Sequence, residues 1–166
     1  MTNSVLHMKA DVEHPQTGIE DRKRLAGNLS ALLADTYLLL VKTQGYHWNV
    51  VGPLFISLHR LTEEQYENLF EAADDLAERI RALGHPAPTS ITEMIPLTVI
   101  SEDTGSASAE EMVSNLIRDH EAIVRRLREG VEIAESLRDA VSADMLTERM
   151  RFHEQAIWML RAVLSQ

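Results

Sequence analysis

The stretch DRKRLAGNLSALLADTYLLLVKTQGYHWN, residues 21–49, contains no proline and decides how the chain begins to fold. Its apolar and small positions recur at steps of three and four, which is the spacing of one face of an α-helix. Two such stripes run side by side, and together they predict a long amphipathic helix from Asp21 to about Asn49. The stripes are Leu25, Leu29, Leu32, Thr36 and Leu39, and Leu33, Tyr37, Leu40, Gln44 and His47.

A second helix of the same kind is predicted after Gly52-Pro53, a pair that interrupts a helix. The same apolar spacing resumes at Leu54 and continues to Leu83. The following residues, Gly84-His85-Pro86, are typical of a sharp helix end, because glycine accepts a left-handed backbone and proline cannot continue the helix. The first two helices are therefore expected to form a hairpin with a short connection.

Residues 85–107 break the pattern, since they contain three prolines and Gly105 around one short apolar segment at 91–97. This composition predicts a long crossover that contains a short helix. A third long helix is predicted from Ser108, whose spacing to Glu111 fits a capping box. A fourth is predicted from about Ser142 to the end of the chain.

Four long amphipathic helices joined by short, long and short connections predict an all-α fold. The arrangement is a ferritin-like four-helix bundle with one long crossover that contains a short helix. A chain of 166 residues is large enough for one domain with a substantial core. We assign residues 1–20 to an N-terminal tail and residues 21–166 to the bundle.

The charge and the composition of the chain exclude several classes of function. The chain has 16 Lys and Arg residues, 26 Asp and Glu residues and no cysteine, so its formal net charge is −10. The absence of cysteine excludes disulfide scaffolds, thiol catalysis and cysteine-ligated metals. The acidity disfavours a protein that grips nucleic acid through its overall field. A metal would have to be held by histidines and carboxylates, and cations are the expected partners.

The location of the protein is predicted from what the sequence lacks. No apolar run approaches the roughly 18 residues of a membrane span. Residues 1–20 contain charged residues and no apolar core of a secretory signal. We therefore expect a cytoplasmic protein.

Many di-iron bundles carry Glu-x-x-His on two helices, because positions i and i+3 share a helix face. The five histidines from residue 47 onward do not fit this motif. The residues that stand three positions before them are Gln44, Ile56, Ala82, Ile117 and Met150. The usual metal site inside a single bundle is therefore not expected.

A different set of candidate ligands lies on the first hairpin. His47 ends the first helix and His59 lies just over one turn into the second, so their imidazoles can meet. Asp74 and Glu78 share a face as an i, i+4 pair. However, His59 and Asp74 are separated by about 22 Å along an ideal helix. The four side chains could meet if two copies packed antiparallel about a two-fold axis near Glu67, and this suggests a site between subunits.

The run from Lys42 to Gly84 resembles the ferroxidase segment of the Dps-type miniferritins. The resemblance rests on His-Trp-Asn-Val, on the second histidine twelve residues later and on Asp-x-x-x-Glu fifteen residues after that. It extends more loosely over residues 21–164. It implies a hollow homododecamer of four-helix subunits with iron sites at the two-fold interfaces.

The same resemblance implies roles for particular residues. His47, His59, Asp74 and Glu78 would be the iron ligands and catalytic residues, with Glu63 where the family often has an aspartate. Trp48 matches a tryptophan beside the family's site and is a candidate redox aromatic. The implied reaction is the oxidation of Fe(II), with hydrogen peroxide preferred over dioxygen, and storage of Fe(III) mineral. This chemistry would protect the cell from oxidative damage.

Each of these residues also has a simpler interpretation. A histidine at a helix end can pack against an aromatic neighbour, an Asp/Glu pair is often a solvated face, and Trp48 can be a packing residue. Glu63, Glu64 and Glu67 are candidates for an acidic inner wall that nucleates mineral, or for an ordinary solvated face.

Three further sets of residues are weaker candidates. Asp144 and Glu148 lie at positions that resemble those of the family's acidic iron-entry pore. Alternatively, their charges interact favourably with the dipole at a helix N-terminus. His7, Asp11 and His14 have the types and spacing of a tail metal site. By contrast, His120 and His153 lie on apolar stripes and are expected to be hydrogen-bonded residues of the core or an interface, and His85 a turn residue.

DNA binding is the activity for which the family is named, and this sequence predicts that it is weak or absent. Residues 1–24 carry four basic and four acidic side chains, so no strongly basic arm is present. The leading hypothesis is thus an iron-oxidising storage cage. The alternative is a nucleoid-associated structural protein that binds DNA and has a minor or vestigial iron site.

Overall fold

In the computed structural model, residues 16–103 and 105–165 are described. They contain four long helices and one short helix: α1 (Arg22–Asn49), α2 (Phe55–Ala82), α3 (Ile91–Met94), α4 (Ala109–Ser136) and α5 (Ala140–Leu164). The hairpin partners α1 and α2 pack along each other, as do α4 and α5. Helix α1 also packs against α3 and α4, and α2 contacts α5. The predicted four-helix bundle with one long crossover is confirmed.

The predicted stripes form the core of this bundle. Leu25, Leu29 and Leu39 of α1 are fully buried, and Leu69, Leu76 and Ile80 of α2 belong to the same core cluster. By length and composition, α1 is the one helix among the described residues that could cross a membrane, but 61% of its most apolar window is buried within the fold. Its apolar residues are accounted for by the core of the bundle.

The helix ends follow the sequence closely. Ser108 and Glu111 form the predicted capping box, in which each side chain accepts a hydrogen bond from the other residue's backbone N–H. Helix α5 begins at Ala140, two residues earlier than predicted, because the Asp139 side chain accepts a hydrogen bond from the Ser142 N–H. Asp139 is also held by the Arg79 guanidinium, at 2.6 Å.

The long crossover is fastened to the bundle by a buried carboxylate. Asp35, on α1, accepts hydrogen bonds from the backbone N–H of Val99 at 2.8 Å and from the Thr98 hydroxyl at 2.9 Å. Its other oxygen accepts from Arg126 of α4 at 2.7 Å. Burial raises the pKa of Asp35, and these donors oppose the rise. One side chain therefore joins α1, α4 and the crossover.

Two glycines are required by the geometry. Gly52 has φ +92° in the turn between α1 and α2, a conformation that L side chains rarely adopt. In α4, a Cβ at Gly130 would lie 2.6 Å from Asn28 Oδ1 and 2.9 Å from Leu146 Cδ1. Glycine at position 130 thus lets α4 approach its neighbours closely.

His120 and His153 form a pair inside the bundle, which confirms their expected core role. Both are almost completely buried, and their Nδ1 atoms are 2.7 Å apart. One Nδ1 must donate a proton and the other accept it, so both rings cannot be protonated at once. Burial, with a smaller contribution from Arg149, lowers the pKa of His120 to about 3.

Candidate metal centre

The two predicted histidines meet at the hairpin between α1 and α2. The His47 and His59 rings stack with their centroids 3.8 Å apart and their planes 16° apart. Each ring also bonds to the backbone of the other residue: His47 Nδ1 lies 2.7 Å from the His59 carbonyl oxygen, and His59 Nδ1 lies 2.9 Å from that of His47. The five-residue turn with Gly52 brings the two helix ends close enough for this exchange.

This exchange of hydrogen bonds fixes the chemistry of both imidazoles. A carbonyl oxygen can only accept, so each Nδ1 must carry the proton and donate it. In the neutral ring, Nε2 is then left with a lone pair, which is the form of histidine that binds a metal ion. Backbone carbonyls are frequent partners of metal-binding histidines for this reason. The pair therefore offers two preset Nε2 ligands.

Two more aromatic rings border the histidine pair. Phe55 stacks on His59 with centroids 5.1 Å apart and planes at 25°. Tyr66 meets His47 edge-on, with centroids 5.2 Å apart and planes at 78°. Partial burial, followed by the neighbouring carboxylates of Glu63 and Glu67, raises the pKa of the Tyr66 hydroxyl. We call Phe55, His59, His47 and Tyr66 the ring cluster.

Carboxylates lie at both ends of α2. Glu63 is exposed one turn after His59, and Asp74 and Glu78 are exposed further along the same helix. Because α2 is continuous from Phe55 to Ala82, Asp74 remains about 22 Å from His59 along the axis. Among the described residues of one subunit, no three His, Asp or Glu side chains come together to hold a metal. One chain thus carries two separated halves of the predicted ligand set.

Trp48 does not point into the bundle. Its side chain is 68% exposed and lines a groove of about 480 Å³ together with Val41, Tyr46 and Met112. The Tyr46 hydroxyl donates a hydrogen bond to Asp103 in the crossover, and Asn115 bonds to both groups. The redox role predicted for Trp48 remains a prediction.

The other candidate sites stand apart from the ring cluster. Asp144 and Glu148 are both exposed on α5. Glu148 is paired with Arg151, and this hydrogen bond lowers the pKa of Glu148. His7, Asp11 and His14 lie outside the described residues. The pore and the tail metal site therefore stay predictions.

Sequence reasoning found the histidine pair but missed Phe55 and Tyr66. The spacing contained a signal, because these residues stand four positions before and seven positions after His59. Both offsets place a side chain on the same helix face as His59. What the spacing could not give is the stacking itself, which depends on the path of the turn that delivers His47.

Comparison with known proteins identifies the family. A family model described as the ferritin-like domain matches residues 26–166. An uncharacterized low temperature-induced protein of Nostoc sp. is 46% identical over 147 residues, which cover 87% of this chain and 82% of the relative. The DNA protection during starvation protein 2 of Bacillus anthracis is 34% identical over 144 residues, covering 87% of this chain and 99% of that protein.

Solved structures agree with these relatives. The crystal structure of a Dps protein from Vibrio cholerae O1, described as a member of a broad superfamily of ferritin-like diiron-carboxylate proteins, superimposes with a TM-score of 0.83. It is 30% identical, and the match covers 87% of this chain and 91% of that one. The chain therefore belongs to the ferritin-like domain family and, within it, to the Dps-type miniferritins.

Proposed function

We propose that this protein is an iron-storing cage that oxidises Fe(II) at sites shared between two subunits. The observation that carries the proposal is the histidine pair, whose exchanged Nδ1 hydrogen bonds leave two Nε2 ligands free. Imidazole and carboxylate together form a ligand set suited to iron. The Dps and diiron-carboxylate relatives support the same chemistry.

The sharing between subunits follows from the length of α2. His47, His59 and Glu63 lie at one end, and Asp74 and Glu78 lie at the other. An antiparallel two-fold pairing of α1 and α2 across the centre of α2 would bring the histidine end of one chain to the carboxylate end of its partner. Such a pairing is isologous, so every pair of chains would form two equivalent sites. We propose that twelve chains assemble in this way.

The stacking of the imidazoles favours two iron ions per site. Metal ions bind near the plane of an imidazole at about 2.0–2.1 Å from the nitrogen. Rings stacked 3.8 Å apart keep their Nε2 lone pairs in nearly parallel planes, so the lone pairs do not converge on one ion. We infer that His47 serves one ion and His59 the other. Asp74 and Glu78 of the partner chain would neutralise the pair, with Glu63 beside the second ion.

Two adjacent Fe(II) ions match the chemistry of the proposed oxidant. Hydrogen peroxide takes up two electrons when it is reduced fully to water or hydroxide, and each Fe(II) ion supplies one electron. The balanced reaction is 2 Fe²⁺ + H₂O₂ + 2 H₂O → 2 FeOOH + 4 H⁺. Delivering both electrons together avoids a one-electron step that would release hydroxyl radical. The resemblance favours peroxide, and dioxygen is the other candidate oxidant.

We propose a cytoplasmic location. Protection of the cell by removal of iron would not require the protein to bind DNA. With a formal charge of −10 per chain, a closed shell would repel phosphates and attract Fe(II). We expect weak or no DNA binding at physiological salt. A gel shift of duplex DNA that persists at moderate salt would favour the alternative of a nucleoid-associated structural protein.

The function is tested by following Fe(II) oxidation after peroxide is added to the purified cage. The double variant His47→Ala, Asp74→Ala is expected to lose the protein-catalysed phase, because each half of the site lacks a ligand. Asp75→Ala is the matched control, since it removes the same charge from the neighbouring position of α2. Unchanged oxidation in the double variant would overturn the site, and a monomer or isolated dimer in solution would overturn the cage.

A further inference from the structure

The ring cluster is a row of aromatic contacts in which the two imidazoles lie between Phe55 and Tyr66. Phe55 and His47 both stack on His59, and Tyr66 meets His47 edge-on. Phe55, His59 and Tyr66 all belong to α2, at positions that share one face of the helix. Three of the four rings are therefore held by one rigid helix, and the turn at Gly52 brings His47 of α1 to them.

Each imidazole needs this support because its hydrogen bonding alone does not fix its plane. A single Nδ1 bond to a carbonyl leaves the ring able to swing about that bond. Aromatic pairs in stacked or edge-on geometry resist such rotation, since the ring quadrupoles favour particular orientations. With His47 and His59 stacked on each other, a swing of one ring would disturb the other unless the outer contacts hold both.

We propose that Phe55 and Tyr66 are positioning residues that aim the two imidazoles, Phe55 acting on His59 and Tyr66 acting on His47. The proposal rests on the proposed iron site and adds a division of labour to it. Because each imidazole serves a different ion, each outer ring controls the affinity of one ion. Phe55 has no ligating atom, so its influence on the metal passes through His59.

The division of labour can be measured with Co²⁺, which has visible absorption bands that report its coordination, added to the metal-free cage under nitrogen. His47→Ala and His59→Ala first assign which binding step belongs to which histidine. Phe55→Leu is expected to weaken the His59 step about tenfold and Tyr66→Leu the His47 step about tenfold, the lower end of the range for groups that orient metal ligands. Each is expected to leave the other step close to wild type.

Conservative replacements separate positioning from general stability. Phe55→Tyr and Tyr66→Phe keep the aromatic rings, so both variants are expected to retain the wild-type Co²⁺ affinity and spectrum that the leucine variants lose. Ile56→Ala is the control, because this neighbour of Phe55 is 59% exposed and lies outside the ring cluster. The mass of the assembly and its melting temperature are measured for every variant, so that disassembly of the cage is not mistaken for misorientation of the imidazoles.

Two results would count against the proposal, and they differ from failure of the iron site. In the first result, His47→Ala and His59→Ala each lose a binding step, but the isotherms of the two leucine variants superimpose on that of the wild type. This result would overturn the positioning role alone. Equal weakening of both steps by either leucine variant would overturn the division of labour. A wild-type cage that binds no Co²⁺ and does not accelerate Fe(II) oxidation would instead overturn the proposed function.

Discussion

At the scale of single residues, four histidines of the bundle form two pairs with different hydrogen bonding. His47 and His59 each donate Nδ1–H to a backbone carbonyl at the hairpin between α1 and α2, and these bonds leave the Nε2 lone pair of each ring unused. His120 and His153 use their Nδ1 atoms on each other in the bundle interior. The first arrangement leaves two nitrogen lone pairs available, whereas the second removes two histidines from solvent, where burial disfavours their protonation.

The buried histidine pair predicts a stability that falls with acid. The pKa of His120 is lowered to about 3 and that of His153 lies well below its usual value, mainly through burial. Below about pH 6.5 these two imidazoles therefore bind protons in the unfolded chain but not in the folded chain. The free energy of unfolding then decreases by up to roughly 1.4 kcal/mol per pH unit for each imidazole. The stabilisation is fully present above that pH and is lost as the pH falls toward 3.

Melting temperatures measured between pH 7 and pH 4 test this linkage. His153→Gln keeps a hydrogen-bonding partner for His120 but removes one titrating group, so its melting temperature should fall less steeply than that of the wild type. Thr147→Ser, at an exposed position of α5, removes no titrating group and should follow the wild-type slope. Parallel slopes for all three proteins would contradict the assigned cause.

At the scale of elements, the local sequence determined most of what could be predicted. The stripes of α1 and α2, the Gly84 stop and the Ser108 capping box are local signals, and the structure confirms each of them. Helix α5 starts at Ala140, earlier than predicted, because Asp139 supplies the cap after Arg138 turns the chain with φ +58°. The contacts of Asp35 were not predictable, since they join residues more than sixty positions apart.

Asp35 gives a prediction about the crossover. Asp35→Ala would leave the Val99 N–H without its partner and the guanidinium of Arg126, whose side chain is 21% exposed, with the Leu97 carbonyl as its acceptor. The cost should therefore lie near or below about 3 kcal/mol, the lower end for breaking a buried ion pair. Asp35→Asn, which keeps an acceptor oxygen, should cost less. Thermal unfolding measures the loss, and hydrogen exchange should show the Val99 amide exposed first. Unchanged protection of Val99 in Asp35→Ala would contradict the account.

At the scale of the whole molecule, one subunit does not complete the candidate site. The sequence correctly predicted that His47 and His59 meet and that Asp74 stays distant, because both conclusions follow from helix geometry. It did not predict the ring cluster, because stacking depends on how the turn at Gly52 delivers one helix to the other. The exposed ends of α2 make sense as halves of a shared site when two chains pair antiparallel. The formal charge of −10 per chain is consistent with a shell that collects cations.

The central claim, that the two ends of α2 from different chains form one iron site, is tested by complementation. His47→Ala and Asp74→Ala chains, each of which is expected to be inactive alone, are coexpressed in equal amounts. About half of the two-fold pairs would be mixed, each with one intact site of two, so about a quarter of the Fe(II)-oxidising activity should return. His47→Ala coexpressed with His59→Ala is the control and should recover nothing, since these ligands share a chain. Recovery near a quarter is the predicted result, and no recovery above the single variants would contradict the claim.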